Sequence, residues 1–370
     1  MPSWILRTMN KHTLLTITIV ILLILTLSAC SNNGNIDSSS SVVATLVAEA
    51  PANESGIIIE HDLIEIPLPG ELASASMEYS GLAWYKDDLI LLPQYPNGIW
   101  GNQDGLLYAI NQDNLDKFLK DPTTELAVKS VLFDDGGLSK RLKGFEGFEA
   151  IVFIEDSVYM AIETRGGDPM KSFIVKGSIE SVEGELKAIL LDGSSQVELR
   201  VQNNNSNASY EALSSDGEFI YAFFEQNGKD QNANPFVLRL DADLENQQEI
   251  PLDAISYRVT DATLIDGYGT FWMINYFFPG DTHLAVDEDP ISTRYGLGES
   301  HQQNEPVERL LKLKLTDEGF QVAEEPPLYL QLLENDEARN WEGLVRFGEQ
   351  GFLVITDKFP DSILGYIAIQ

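Results

Sequence analysis

One short pattern recurs along the chain and limits what it can fold into. Glu149-Ala150-Ile151 opens an apolar run, a polar turn follows, and a second run from Val158 to Ile162 ends on Glu163. The same arrangement joins Glu211 to Glu225, Asp261 to Asn275 and Glu342 to Asp357, with a fainter copy from Ser80 to Gln94. The separation is 14 residues in four copies and 15 between Glu342 and Asp357. Two short strands joined by a tight turn fit that spacing, and they bring the start of the first beside the end of the second. Third strands are expected at 106–110, 173–179, 236–240, 309–315 and 363–369, and fourth strands at 126–133, 185–191, 248–252 and 328–333. Helical periodicity is confined to a short insertion at 114–120. Multi-stranded repeats of this length predict an all-β fold, a β-propeller.

Five blades account for every strand-like run, although the fifth runs out of chain after its third strand. The apolar run 57–66 is left over at the other end. As the outer strand of the last blade it closes the ring and removes an open sheet edge. A sixth blade remains open if the long segment 278–333 hides another repeat.

The first 56 residues follow a different logic. Arg7 and Lys11 precede an almost wholly apolar run from Thr13 to Ala29, and Leu27-Ser28-Ala29-Cys30 ends it with small residues before the only cysteine. A basic segment, an apolar segment and a small-residue cleavage site describe a secretory signal over 1–29. The cysteine at the cut resembles a bacterial lipobox, which implies a lipidated Cys30 as the mature N-terminus. The other reading is a permanent N-terminal helical anchor, since about 17 apolar residues is near the lower limit for spanning a bilayer. Either places the remainder in the cell envelope, outside the cytoplasm. Residues 30–56 are poor in aromatic residues and read as a flexible tether, followed by the propeller domain over 57–370.

The 58 acidic residues outnumber the 24 basic ones, giving a net charge of −34. Such a surface repels nucleic acid and attracts cations. Most of these carboxylates belong to a solvated shell, so only those in repeated positions argue for a site. In a propeller the first strand of each blade lines the central channel. Ser80, Glu149, Glu211, Asp261 and Glu342 then form one ring at its mouth, and Gln94, Glu163, Glu225, Asn275 and Asp357 a second. Crowded carboxylates need protons or a cation. Oxygen donors without Cys or His suit a hard ion, so calcium is the expected cofactor, held by Glu149, Glu211, Asp261, Glu342, Glu225 and Asp357. A second account makes the same carboxylates structural acceptors for backbone N–H groups of neighbouring blades. Glu163, with Arg165 close behind it, is the candidate catalytic centre, with Lys358 after Asp357 in the analogous place. His283, His301 and the acids of 278–306 suggest either a substrate lid or a polar surface loop. Tyr95, Trp100, Tyr276 and Phe277 fall in or beside the mouth loops. No nucleophile elbow, P-loop, H-E-x-x-H or dinucleotide fingerprint occurs, and the adjacent Ser300 and His301 do not by themselves make a triad.

The openings Ser80-Gly81-Leu82, Glu149-Ala150-Ile151, Glu211-Ala212-Leu213 and Glu342-Gly343-Leu344 resemble those of the phytase-like extracytoplasmic propellers, the "esterase-like activity of phytase" family. The resemblance spans about residues 57–370. It implies a calcium-associated propeller that hydrolyses phosphate or carboxylic esters. Regucalcin and gluconolactonase-type propellers are similar in opening a blade with Glu-Gly and holding a divalent ion in the channel. This sequence departs from both in blade count, and it has no Lys/Arg cluster suited to a highly phosphorylated substrate. Two functions are therefore carried forward. One is a lipid-anchored hydrolase of small esters or phosphoesters, and the other a non-enzymatic lipoprotein that binds a small molecule or a protein at its channel face.

Overall fold

The computed structural model describes residues 58–98, 101, 104–165, 170–205, 207–334, 336–359 and 361–369. The signal segment, Cys30, the tether and Trp100 lie outside these residues. Among the described residues no helix is long and apolar enough to cross a membrane.

The chain forms a β-propeller of consecutive antiparallel meanders. The first runs through Tyr79–Tyr85, Asp88–Pro93, Gly105–Asn111 and Val128–Asp134, and the second through Phe145–Ile154, Ser157–Thr164, Lys171–Val182 and Glu185–Leu191. The third comprises Tyr210–Ser215, Ile220–Phe224, Phe236–Leu240 and Gln248–Pro251. Arg258–Ala262, Thr270–Phe277 and Val307–Thr316 carry the fourth, and Trp341–Phe347, Gly351–Thr356 and Leu364–Ala368 the fifth. The first strand of each meander packs on the first strand of the next, and that of the fifth packs on that of the first. The expected helix is present as Gln112–Lys120, capped by the Asn111 side chain.

Alternation along the strands explains why a ring forms. In Asp88–Pro93, Leu89 and Leu91 face the fifth meander while Ile90 and Leu92 face the second. In Ile220–Phe224, Ala222 and Phe224 face the second, and Tyr221 and Phe223 the fourth. A strand apolar on both faces cannot leave either one in water, so each sheet needs a neighbour on each side. The core is accordingly divided into a cluster at every meander interface. Phe223 shows the packing: its ring centroid lies 5.4 Å from that of Phe271 and 5.3 Å from that of Phe320. Truncating such a residue to Ala costs about 3–5 kcal/mol.

The N-terminal closure is real but divided. Leu63–Ile66 pairs antiparallel with Leu364–Ala368 as the outer strand of the fifth meander. Glu60–His61 instead pairs parallel with Leu328–Leu330 in the fourth. That meander's outer edge is itself split, because Gly319–Val322 and Leu328–Leu330 pair with different halves of Val307–Thr316. The outer strands of the first two meanders also pair with each other, in parallel, which fuses these meanders into one sheet.

Segment 278–306 is fixed rather than lid-like. Asp289 caps the helix Pro290–Tyr295 and receives two hydrogen bonds from buried Arg309, at 2.5 and 3.1 Å. Glu60 accepts from Ser300 N, Ser300 Oγ and His301 N at 3.0, 2.9 and 3.2 Å, and pairs with His301 Nδ1 at 2.7 Å. Despite its burial these bonds hold the Glu60 carboxyl below its usual range. A Cβ at Gly298 would collide with that carboxylate, so only glycine fits there. His301 Nε2 accepts from Glu308 N at 3.2 Å, so both ring nitrogens are committed to structure and Ser300-His301 is no catalytic pair.

Candidate functional site

The repeated acids sit where they do because each first strand carries a β-bulge. Pairing slips between Tyr79 and Gly81, Phe148 and Ala150, Tyr210 and Ala212, and Trp341 and Gly343, which leaves Ser80, Glu149, Glu211 and Glu342 as the extra residues. A bulged residue has no ladder partner, and its side chain is re-aimed out of the pleat. All four line one cavity of about 290 Å³ at the mouth of the ring. Gln94, Glu163 and Asp357, at the ends of second strands, line it as well, with Glu78 and Glu146.

The fourth meander corrects the expected ring. Its bulge also adds a single residue, Thr260 and Asp261 together facing Ile274 between the pairs Val259–Asn275 and Ala262–Met273, but the acid is the second of the two. Thr260 takes the position of Ser80: each hydroxyl donates at 2.5 Å to a backbone carbonyl of the next meander, Trp341 O and Phe148 O respectively. Asp261, at the next position and so equivalent to Gly81, is buried and accepts from Leu344 N at 2.6 Å and Ala262 N at 2.8 Å. It joins two meanders and does not line the cavity. The backbone-acceptor account thus applies to this acid. Asn275 is likewise structural, donating to Ser256 O and Arg258 O while accepting from Arg309 Nε.

Arg258 is the residue that the repeats did not reveal. It lines the cavity from the start of the fourth meander, bonded to buried Glu225 and, at 2.9 Å, to Asp281. Glu225 is therefore committed to a guanidinium. Burial pushes its carboxyl up to about 7 even though Arg258 opposes the shift. The only local signal for Arg258 was a basic residue opening a strand whose one other charge is Asp261.

Burial and mutual repulsion set the protonation of the remaining acids. Burial, reinforced by the charge of Glu163, lifts the Glu149 carboxyl well above the ordinary range. Glu163 is also raised by burial, but Arg165 pulls it back. The two carboxyls act on each other, and burial raises both, Glu149 the more strongly. Gln94 Nε2 donates to Glu149 Oε1 at 2.9 Å. Gly147, at φ 137°, makes this possible, since a Cβ there would strike the Gln94 side chain. Glu211 is raised by burial and by the charges of Glu225 and Glu342, and Glu342 by burial and the charge of Asp357. Asp357 is raised by burial to about 6, against the pull of Lys358. Among the described residues, buried Glu211 Oε2 and Asp357 Oδ1 find no hydrogen-bond partner.

The exposed cations are already engaged at the rim. Arg165 lies 3.6 Å from Glu146 and donates to Asn207 at 2.8 Å, while Lys358 pairs with Glu78 at 2.9 Å. As for a metal, the oxygen-only donors and the two partnerless oxygens suit a hard divalent ion. Among the described residues, however, no three His, Cys, Asp or Glu side chains gather at one point. Ion binding therefore requires some of these carboxylates to turn.

No family model matches the chain, and no curated protein does. Among solved structures it is similar to glutaminyl cyclase of Myxococcus xanthus, at 8% identity and TM-score 0.40, covering 84% of this chain and 99% of that one. It is similar to a β-fructofuranosidase of Bombyx mori at 10% identity and TM-score 0.45, covering 80% of this chain and 55% of that one. The soluble aldose sugar dehydrogenase of Escherichia coli matches at 10% identity and TM-score 0.38, covering 81% and 98%. At such distances these likenesses carry no argument about chemistry, which rests on the residues of the mouth.

Proposed function

We propose that the mouth of this propeller is the active site of a hydrolase for small esters or phosphoesters. The observation that carries this reading is the Glu149–Glu163 pair, two neighbouring carboxyls both raised by burial, with Arg165 drawing Glu163 back toward its ionised form, inside a solvent-connected cavity. Two carboxyls with pKa values pushed apart supply an acid and a base at the same pH. Glu163 takes a proton from a water as its oxygen attacks the ester carbon or phosphorus. Glu149 gives its proton to the oxygen of the breaking bond. Proton transfer from Glu163 back to Glu149 resets the pair without any other group. Arg165, itself exposed and free to leave the half-buried Glu146, faces charge developing on the substrate.

Calcium is part of the same proposal, with Glu211, Glu342 and Asp357 as its oxygen donors at the cavity wall and Glu149 left to its proton. A bound ion would neutralise the crowded acids and polarise a substrate oxygen. The bulged Glu-Ala and Glu-Gly openings support kinship with phytase-like propellers, and the residues around Cys30 support a lipid anchor in the cell envelope. Replacing Cys30 by Ser should release the protein from membranes if that anchor exists.

The test is a calcium titration of the purified protein, read by melting temperature and by hydrolysis of p-nitrophenyl acetate and p-nitrophenyl phosphate. Turnover that disappears in Glu163→Gln supports the assignment. No turnover of either ester at any calcium concentration defeats it and leaves the binding-protein reading. A melting temperature indifferent to calcium removes the ion. The binding reading has one observation in its favour, a second and less polar cavity beside the first.

A further inference from the structure

That second cavity, of about 510 Å³, adjoins the first through Arg258, Asn340 and Asp357, which line both. Its apolar walls are Tyr276, Phe278, Ala338 and Phe359. Tyr276 is buried, but Phe278 and Phe359 are 46% and 58% exposed. Two phenyl rings left in water beside a cavity of ligand size are a feature that an occupant would relieve. The charged lining is one-sided. Asp281, Asp336, Glu337 and Asp357 face a single guanidinium, Arg258, which is already bonded to Asp281 and Glu225.

Aromatic faces combined with surplus carboxylates select one ligand class. An anion is repelled by the rim, and a small hard cation gains little from phenyl walls and keeps its water. A weakly hydrated organic cation gains from both, through ring faces and through charge. The partnerless Asp357 Oδ1 lacks the kind of N–H donor that an ammonium carries. The wall is also built in advance. Phe278 and Asp281 begin the segment that Arg309 fixes through Asp289, and Leu284 packs with Tyr257, Phe277 and Val307. Binding therefore orders little new structure.

We infer that this cleft binds an organic ammonium, a primary or secondary amine carried on an aromatic body. The ring lies between Phe278 and Phe359, and the ammonium reaches Asp357 at the junction of the two cavities. The inference does not depend on hydrolysis at the neighbouring acids. It is tested by isothermal titration of the full-length protein, with chelator present, using phenethylammonium, 2-phenylethanol and phenylacetate, which share one ring and differ in charge. Phenethylammonium should bind at least about ten-fold more tightly than the alcohol, and phenylacetate should not bind. Phe359→Ala, a change at an exposed ring, should weaken the ammonium about five-fold or more, and Asp357→Asn should remove most of the preference over the alcohol. Equal affinity for the alcohol, unchanged binding in both variants, or no binding of the ammonium would each overturn the assignment. Loss of ester turnover with ammonium binding intact would instead condemn only the hydrolase.

Discussion

The second and fourth meanders are built from the same repeat and use it oppositely. In the second, a one-residue bulge turns Glu149 into the cavity, where Gln94 and Glu163 meet it. In the fourth, the acid stands one position after the bulged Thr260, and Asp261 turns between meanders, where it accepts backbone N–H groups. Its place at the mouth passes to a hydroxyl, and charge returns as a cation, Arg258. A shift of one position along the strand thus separates an acid available for chemistry from an acid that binds the ring together.

That contrast can be broken experimentally. The largest effect should follow Glu163→Gln, which should lower ester turnover by about 10²–10⁴ while leaving the melting temperature nearly unchanged. A fall in stability without a fall in turnover would put Glu163 in the structural class. Asp261→Ala should do the reverse: stability in urea should fall by about 3 kcal/mol, because buried N–H donors lose their acceptor, with little change in substrate KM. A well-folded Asp261→Ala protein of unaltered stability would erase the distinction between the two meanders.

The third expectation concerns pH. Asp357 and Glu225 are raised to about 6 and about 7, above their values in an unfolded chain. Their protons are held more tightly by the folded protein. The stability they confer is complete below about pH 4 and is lost as pH rises through 6 to 7. In chelator the melting temperature should therefore fall by roughly 5 °C between pH 5 and 8. Calcium should flatten that fall if the mouth binds it, and a profile identical with and without calcium would count against the ion.

How far the sequence reached follows from the same geometry. The propeller was legible because period-two apolar strands and a repeated hairpin spacing are local properties. The mouth acids of the second, third and fifth meanders were legible because their bulges match. Asp261 was misplaced because it is separated from Asn275 by the same 14 residues as the other pairs, which conceals a hairpin two residues longer than that of the third meander and an acid one position later on its strand. Arg258 was missed because its partners, Glu225 and Asp281, come from an adjoining meander and a long connection. Pairing over such distances leaves no spacing to count. The division of the N-terminal run between two meanders was hidden for the same reason, since Asp62 between its halves looks like any polar strand residue.

The smallest effect should come from Arg165→Ala. Its exposed ion pair contributes less than about 0.5 kcal/mol, so stability should not change. Arg165 lowers the Glu163 pKa, so removing it should move the acid limb of the turnover profile up by about half a pH unit. An unmoved limb would separate Arg165 from the acid pair of its own meander.

The clasp at residues 60–66 also has a mechanical consequence. Tension on the N-terminus would pass through Glu60 into both the parallel pairing with Leu328–Leu330 and the antiparallel pairing with Leu364–Ala368. His61 Nδ1 also lies 3.2 Å from Ala368 O, so the two anchorages are loaded together across the seam of the ring. A protein held at that end would resist pulling by shearing two sheets at once, and its rupture force would be set by the seam, far from the mouth.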